Sequence, residues 1–414
     1  MGSSLAYHLA SMRNTGSGIV VVEKDSSYKT ASATLSAGGV RQQFSLRENV
    51  LMSLYGIDFV KRANEILAVD DGDDNIDVQL QERGYLFLAS EAGREALLAN
   101  HAVQKEAGAD WMALLSPDEL RQRFPWLSTD GIAAGSLGLA NEGWFDPWAL
   151  LRGMRRKAQS LGVTYVEGEP VGATCDDATR RVASVDVATS GSVEQFRPRH
   201  VVNAAGAHAR PVLDLLAAGR PVLPLPVAPR KRCIFYVRCP SSSATAAEGP
   251  STVPLYHAPL TVDTSGVYFR PEGHGSTETF ICGVSPNAAD DADVWDAAAL
   301  SVGEDDHSAL FEEVIWPALY NRVEAFGELK VQASWAGWYE YNTFDQNAII
   351  GWHPDLTNVA LLNGFSGHGL QQSPAAGRAV AELIERGRFD SLDLSLFGLE
   401  RVQQGRPVYE MGIV

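Results

Sequence analysis

Apolar positions along the chain follow two periods, one suited to helices and one to strands. After the small residues Gly2, Ser3 and Ser4, Leu5, Leu9 and Met12 recur at helical spacing. Arg13-Asn14-Thr15-Gly16-Ser17-Gly18 is turn chemistry. Ile19-Val20-Val21-Val22 is a continuous β-branched run ending in Glu23 and Lys24, the pattern of a buried parallel strand. The opening therefore predicts helix, turn, strand, acid. Near the C-terminus, residues 359–362 predict a strand, 363–370 a glycine-rich turn, and 375–384 a helix. Residues 163–168, 182–187 and 201–202 read as further strands. Residues 84–89, 234–237 and 267–270 also read as strands, and 94–106 and 148–160 as helices. Strands bounded by turns over this length predict a second, largely antiparallel sheet that interrupts the first layer. Residues 241–250 and the acidic stretch 288–306 read as surface loops.

The opening order is the second half of a dinucleotide-binding unit. There a helix N-terminus faces pyrophosphate, and an acid about 20 residues beyond the glycines meets the ribose. Glu23 follows Gly2 at about that spacing. Gly2 would be the third glycine, with the first strand and two glycines expected ahead of Met1. A generic helix–strand pair has the same pattern. The small residues from Ser32 through Ser36 to Gly38 and Gly39 suit close approach of a backbone to a flat ligand, or a flexible loop. Residues 201–207, with Ala205 and Gly206, end a strand in small side chains and suit either close approach or tight helix packing.

The turn Gly364-Phe365-Ser366-Gly367-His368-Gly369-Leu370 is the strongest local signal. A strand, a glycine turn and a helix place free N–H groups toward an anion. Aimed at a flavin, such a helix stabilises the negative charge of the reduced ring. His368 is the titratable group of the turn. Lone histidines are commonly structural, but three glycines within six residues point to function. Trp335, Trp338, Tyr339, Tyr341, Phe344 and Trp352 read as core, with some of them available to wall a pocket.

The net charge of −17 excludes a phosphate-neutralising nucleic-acid face. Arg230-Lys231-Arg232 reads as a solvated turn. The four cysteines fit no zinc or CxxC spacing and read as free thiols, and no metal site is expected. No apolar run reaches transmembrane length. No signal or transit peptide is visible in these residues.

With these residues in hand, the chain resembles the D-amino-acid oxidase/sarcosine oxidase superfamily of FAD enzymes. Residues 364–369 match its GFSGHG motif. Within it, Gly143-Trp144-Phe145-Asp146-Pro147-Trp148, Pro229-Arg230-Lys231-Arg232, Asp345-Gln346-Asn347, residues 364–372 and Gly387-Arg388-Phe389 resemble one subgroup across the whole chain. That resemblance implies a mitochondrial protein, in the matrix or on the matrix face of the inner membrane, acting on respiratory complex I assembly intermediates. It implies an α/β plus α+β fold: a Rossmann-like FAD-binding domain lacking its first strand, with a largely antiparallel substrate domain. The expected boundaries are 1–79, 150–222 and 333–414 for the FAD domain, and 80–149 and 223–332 for the cap.

The resemblance also implies site residues. Gly2, Ser3, Glu23, Lys24, Ser32, Ser36, Gly38, Val171, Ala205, Gly206, Gly337, Gly364, Ser366, Gly367, His368, Gly369 and Leu370 would hold FAD. His368, Tyr339 and Arg41 would be catalytic. The reaction implied is oxidation of a C–N bond in an amine or amino-acid derivative, with the flavin doing the chemistry.

Several positions depart from the superfamily pattern. Gly337 stands where sarcosine oxidases tether flavin through cysteine, and residues 31–39 contain no histidine, so FAD is expected to be non-covalent. Residues 273–283 contain no lysine to assist oxygen reduction, which favours a dehydrogenase. Gln371 or Gln372 stands where a substrate-binding lysine is expected, with Arg41 and Arg270 as possible substitutes. Two readings follow, an FAD-dependent dehydrogenase and a non-catalytic FAD-fold assembly module. A third is that the chain as written binds no FAD.

Overall fold

A computed structural model of the chain describes residues 1–69, 76–241, 252–273, 275 and 277–411. Of the loop expected at 241–250, all but Ser241 lies outside the described residues. Helix α1 (Gly2–Arg13) leads into strand β1 (Val20–Glu23), and helix α2 (Arg47–Lys61) follows. Strand β2 (Val201–Asn203) precedes two long strands, β3 (Val227–Arg238) and β4 (Lys330–Asn342). Strand β5 (Val359–Asn363) then enters the C-terminal helix α3 (Gly369–Arg386).

The first layer is parallel where the apolar runs predict it. β1 pairs in parallel with Thr164–Glu167, and β2 with β5. All five residues of β5 are buried, because helices or loops cover both faces. Among the described residues no strand lies between β1 and β2. Each has one hydrogen-bonded neighbour, and both line one cavity. Val20 and Val22 of β1 are accordingly 40% and 38% exposed.

α1 and α3 pack through small residues. Ser4 Oγ donates to the Ser373 carbonyl at 2.7 Å. A Cβ on Gly377 would lie 2.3 Å from Ser4 Oγ and 2.8 Å from the Leu5 nitrogen. The two backbones thus approach as closely as glycine permits. Gly377→Val is expected to lower stability by about 2–3 kcal/mol through overpacking, read as a lower urea midpoint. An unchanged midpoint would show that the helices are not held at this distance.

The second layer is an eight-stranded sheet. Its order is β4, β3, Thr279–Gly283, Tyr268–Pro271, Leu260–Val262, Tyr85–Ala89, Ala134–Gly138 and Met112–Leu115. Every pairing is antiparallel except that of Leu260–Val262 with Tyr85–Ala89. The expected boundary at 332/333 falls inside β4, which pairs with β3 along nearly its whole length. The expected boundary at 149/150 falls inside the helix Pro147–Ser160. The Asp146-Pro147 pair of the sequence motif starts that helix. Asp146 accepts from Trp148 N at 2.9 Å, and Pro147 fills the first helical position.

One expectation is corrected. Arg230-Lys231-Arg232 is not a solvated turn but part of β3. These side chains are 16 to 18% exposed and ion-paired to Asp291, Asp293 and Asp306. Charged residues tolerate a strand when acids from elsewhere in the chain cover them. All four cysteines are buried and unbridged. Among the described residues no helix is long and apolar enough to cross a membrane.

Candidate functional site

The two layers enclose a cavity of about 1800 Å³. Drug-sized pockets span roughly 300–1,000 Å³, so this one has room for a dinucleotide and a substrate together. The N-termini of α1 and α3 both open onto it, through Gly2 and Ser3 and through His368, Gly369 and Leu370. Two sets of free N–H groups therefore face one space.

Glu23 ends β1 at one end of the cavity. Burial raises its pKa above the usual carboxylate range, and Oε1 accepts from Asp25 N at 3.3 Å. Lys24 lies at the rim, paired with Glu169 at 2.9 Å. Ser3 accepts from the Tyr165 hydroxyl at 3.1 Å. Nothing lies within 4 Å of where a Gly2 Cβ would stand, so its backbone meets open cavity.

Ser32, Ser36 and Gly38 bring the next loop against the same space. Gly38 has φ 71°, and a Cβ there would lie 2.4 Å from the Phe145 carbonyl oxygen. Gly337 of β4 faces this loop. A Cβ at Gly337 would lie 3.0 Å from Leu35 Cβ, so a side chain there would need Leu35 to give way. Ala205 and Gly206 line the cavity after β2, with Gly206 at φ 55°.

The turn between β5 and α3 is tightly constrained. Gly364, Ser366 and Gly367 have φ of 74°, 45° and 88°. Gly364 N donates to Glu340 Oε2 at 3.0 Å. Ser366 Oγ accepts from Asn342 N at 2.9 Å, and the Tyr339 hydroxyl donates to the Ser366 carbonyl. A Cβ on Gly367 would lie 2.6 Å from the Tyr339 ring.

His368 and Arg41 form the chemical end of the site. Arg41 Nη2 lies 3.1 Å from His368 Nε2. Its guanidinium sits 4.0 Å from the Phe44 ring centroid, and Phe44 meets His368 edge-on at 5.0 Å. Gln371 Oε1 accepts from Arg41 N at 2.7 Å. Burial first, then the Arg41 charge, depress the His368 pKa to about 3. His368 is thus neutral at physiological pH. With Nε2 accepting from Arg41, its remaining proton sits on Nδ1.

Most of the expected residues converge on the cavity. Two do not line it. Val171 is 54% exposed beside the lining residues Glu169 and Pro170, and Gly364 is spent on Glu340. Of the two substitute cations, Arg41 reaches the cavity. Arg270 instead donates to the Ala37 carbonyl at 2.9 Å and pairs with Glu272.

Two acids escaped the sequence reading. Glu340 lines the cavity, and burial pushes its pKa up to about 7. Glu142 accepts from Gln42 N at 2.5 Å and Gln43 Nε2 at 2.8 Å, and burial pushes it up to about 8. Single acids carry no spacing signal.

These features together define a flavin dinucleotide site: helix N-termini facing one space, an acid at a strand end, and an anion-facing turn ahead of a long helix. The chain belongs to the FAD dependent oxidoreductase family, whose model matches residues 1–383. FAD is therefore its cofactor, and the residues above fit it. A Xenopus laevis relative, FAD-dependent oxidoreductase domain-containing protein 1, is 44% identical over the full chain and 83% of its own length. The fold is shared with L-proline dehydrogenase from P. horikoshii. That structure has a TM-score of 0.77 and 22% identity, covering 98% of this chain and 96% of the other. Glycine oxidase from Geobacillus kaustophilus gives a TM-score of 0.72 at 21% identity, covering 96% and 95%.

Proposed function

We propose that this protein is an FAD-dependent dehydrogenase that oxidises a C–N bond of an amine or amino-acid derivative. The observation that carries the reading is the pairing of Arg41 with a neutral His368 at the α3 N-terminus, inside the cavity that takes FAD. FAD supplies the hydride acceptor. Arg41 orients an anionic or electron-rich part of the substrate, and Phe44 fixes the Arg41 plane. Neutral His368 adds no cation that would repel a protonated amine. Phe44, Phe87 and Tyr85 around Arg41 exclude water. The α3 N–H groups favour negative charge developing opposite them.

The proposed site residues are those named above that line the cavity, with His368, Tyr339 and Arg41 at the reacting end. The FAD domain is assigned to residues 1–79, 150–222 and 343–414, so that all of β4 belongs to the cap. The absence of lysine from 273–283 supports a dehydrogenase over an oxidase. Gly337, which has no side-chain atom to bond flavin, supports non-covalent FAD. Acid precipitation should release all flavin into the supernatant, and flavin retained in the pellet would refute this assignment. Anaerobic mixing with sarcosine, dimethylglycine and proline should bleach the flavin with at least one of them. Air should restore its colour slowly and a quinone rapidly. Rapid recovery in air alone would point to an oxidase.

The cellular role proposed is in assembly of respiratory complex I in mitochondria. It rests on the resemblance carried by residues 143–148, 229–232 and 345–347. A specific observation keeps a non-catalytic assembly role in view. Gln371 and Gln372 are committed to Arg41 N and to Asn49 Oδ1, so neither offers a charge to substrate. A complex I assembly defect rescued by a variant that binds FAD but resists reduction would favour that role.

Glu340 makes the site sensitive to pH. Its buried carboxyl ionises as pH rises through about 7. A new negative charge beside the α3 N-terminus opposes adding electrons nearby. The flavin potential should therefore fall more steeply across this range in the native protein than in Glu340→Gln. Identical slopes would place the titration elsewhere.

A further inference from the structure

The acidic segment following Thr279–Gly283 is attached to the site by charge. Between Ser285 and Ala299 no side chain is buried. Asp293 pairs with Arg230 at 2.9 Å, and Asp306 with Lys231 at 2.8 Å. Asp291 takes both terminal nitrogens of Arg232, at 2.6 and 2.9 Å. Backbone atoms add to the attachment: Val294 N donates to the Pro229 carbonyl at 2.7 Å, Trp338 Nε1 to the Val294 carbonyl at 2.8 Å, and Arg230 Nη1 to the Asp291 carbonyl. A segment with no buried apolar anchor opens at low cost.

Of the three cations, only Arg232 lines the cavity. Its guanidinium lies 4.4 Å from the Tyr339 ring centroid, and its Nε is buried without a partner. Tyr339 in turn holds Ser366 of the glycine turn. Arg232 thus touches the acidic segment on one side and, on the other, the Tyr339 ring that holds the glycine turn. Asp291 is chemically a carboxylate clamped bidentately by arginine, and a substrate carboxylate makes the same clamp. Exchanging one for the other leaves no buried charge unpaired.

We propose that residues 286–299 form a lid latched by Asp291 on Arg232. A carboxylate on the substrate takes Arg232 from Asp291 and frees the lid. The substrate is then an amine that carries an acidic group. This deepens, and rests on, the amine-oxidising reading of the same cavity.

Succinate and its neutral diamide, succinamide, separate the possibilities on the flavin-loaded protein without turnover. Succinate should perturb the flavin spectrum saturably and raise deuterium uptake in 286–299, whereas succinamide should do neither. Asp291→Asn should tighten succinate binding about tenfold by removing the competitor. Arg232→Gln should abolish the response with flavin retained. Asp293→Asn, which removes the ion pair to Arg230 and leaves the Asp291–Arg232 clamp in place, should loosen the lid without changing succinate affinity. Equal succinate affinity in the native and Asp291→Asn proteins, or lid uptake unchanged at saturation, would overturn the proposal. A protein that binds succinate through Arg232 yet is reduced by no amine would refute the amine reading alone. One reduced by amines but indifferent to succinate would refute the latch alone.

Discussion

Asp345→Ala is expected to cost about 3–5 kcal/mol of stability, the scale for stranding a buried charge. The Asp345 side chain has no exposed surface, and Arg401 is 6% exposed. Arg401 donates to Asp345 through Nε at 2.7 Å and Nη2 at 2.9 Å. Asn342 Nδ2, Asn347 N and Val408 N donate to the same carboxylate at 2.9, 3.2 and 3.1 Å. One side chain therefore ties the end of β4 to the C-terminal segment. That segment carries Glu410, which accepts from both Ser45 N and Ser45 Oγ at 2.6 Å beside Phe44. Loss of Asp345 should thus loosen the Arg41 loop as well as the fold. Urea unfolding measures the first effect and FAD affinity the second. A stability change under about 1 kcal/mol would mean that water reaches Arg401 in the variant.

Gly367→Ala is expected to weaken FAD binding at least about tenfold while the protein stays folded. Backbone strain at positive φ costs of order 1–3 kcal/mol. Gly367 adds a Cβ overlap of 2.6 Å with a Tyr339 ring that cannot retreat. The ring is held by its hydroxyl on Ser366 and by Arg232 above it. The turn must shift instead, and His368 with it. Gly387→Ala is the control. Its φ of 73° imposes similar strain, but nothing lies within 4 Å, and it caps the end of α3 opposite the glycine turn. It should lose stability and keep FAD affinity. Titration of FAD into the stripped proteins, followed by flavin fluorescence, measures both. Equal affinities for the native and Gly367→Ala proteins would remove the turn from the FAD site.

The local periodicities of the chain predicted the elements that build the cavity. The β-branched run before Glu23 and the apolar run before Gly364 both became parallel strands, the second buried from both sides and the first with Val20 and Val22 open to the cavity. The glycine turn was legible because Gly364 and Gly367 occupy conformations that favour glycine. The basic run 230–232 was misread because its counter-charges lie 59 to 75 residues further along, beyond any local window. Glu142 and Glu340 were missed because burial, not spacing, gives them their chemistry. Arg41 and Arg270 were indistinguishable in sequence, and the Ala37 carbonyl and Glu272 show that Arg270 is committed elsewhere. The boundary expected at 332/333 falls inside one long strand, β4, which pairs with β3 yet carries Gly337 and Tyr339 to the FAD cavity.

In the proposed reaction one cavity, from Glu23 to the Arg41–His368 pair, brings FAD and an amine together for hydride removal. Anaerobic stopped-flow mixing of the flavin-loaded protein tests it most directly, using carboxylate-bearing amines with hydrogen or deuterium on the carbon next to nitrogen. The expected result is loss of the flavin's visible band, slower with deuterium and abolished in Arg41→Met. An undiminished yellow spectrum across the whole panel would contradict it.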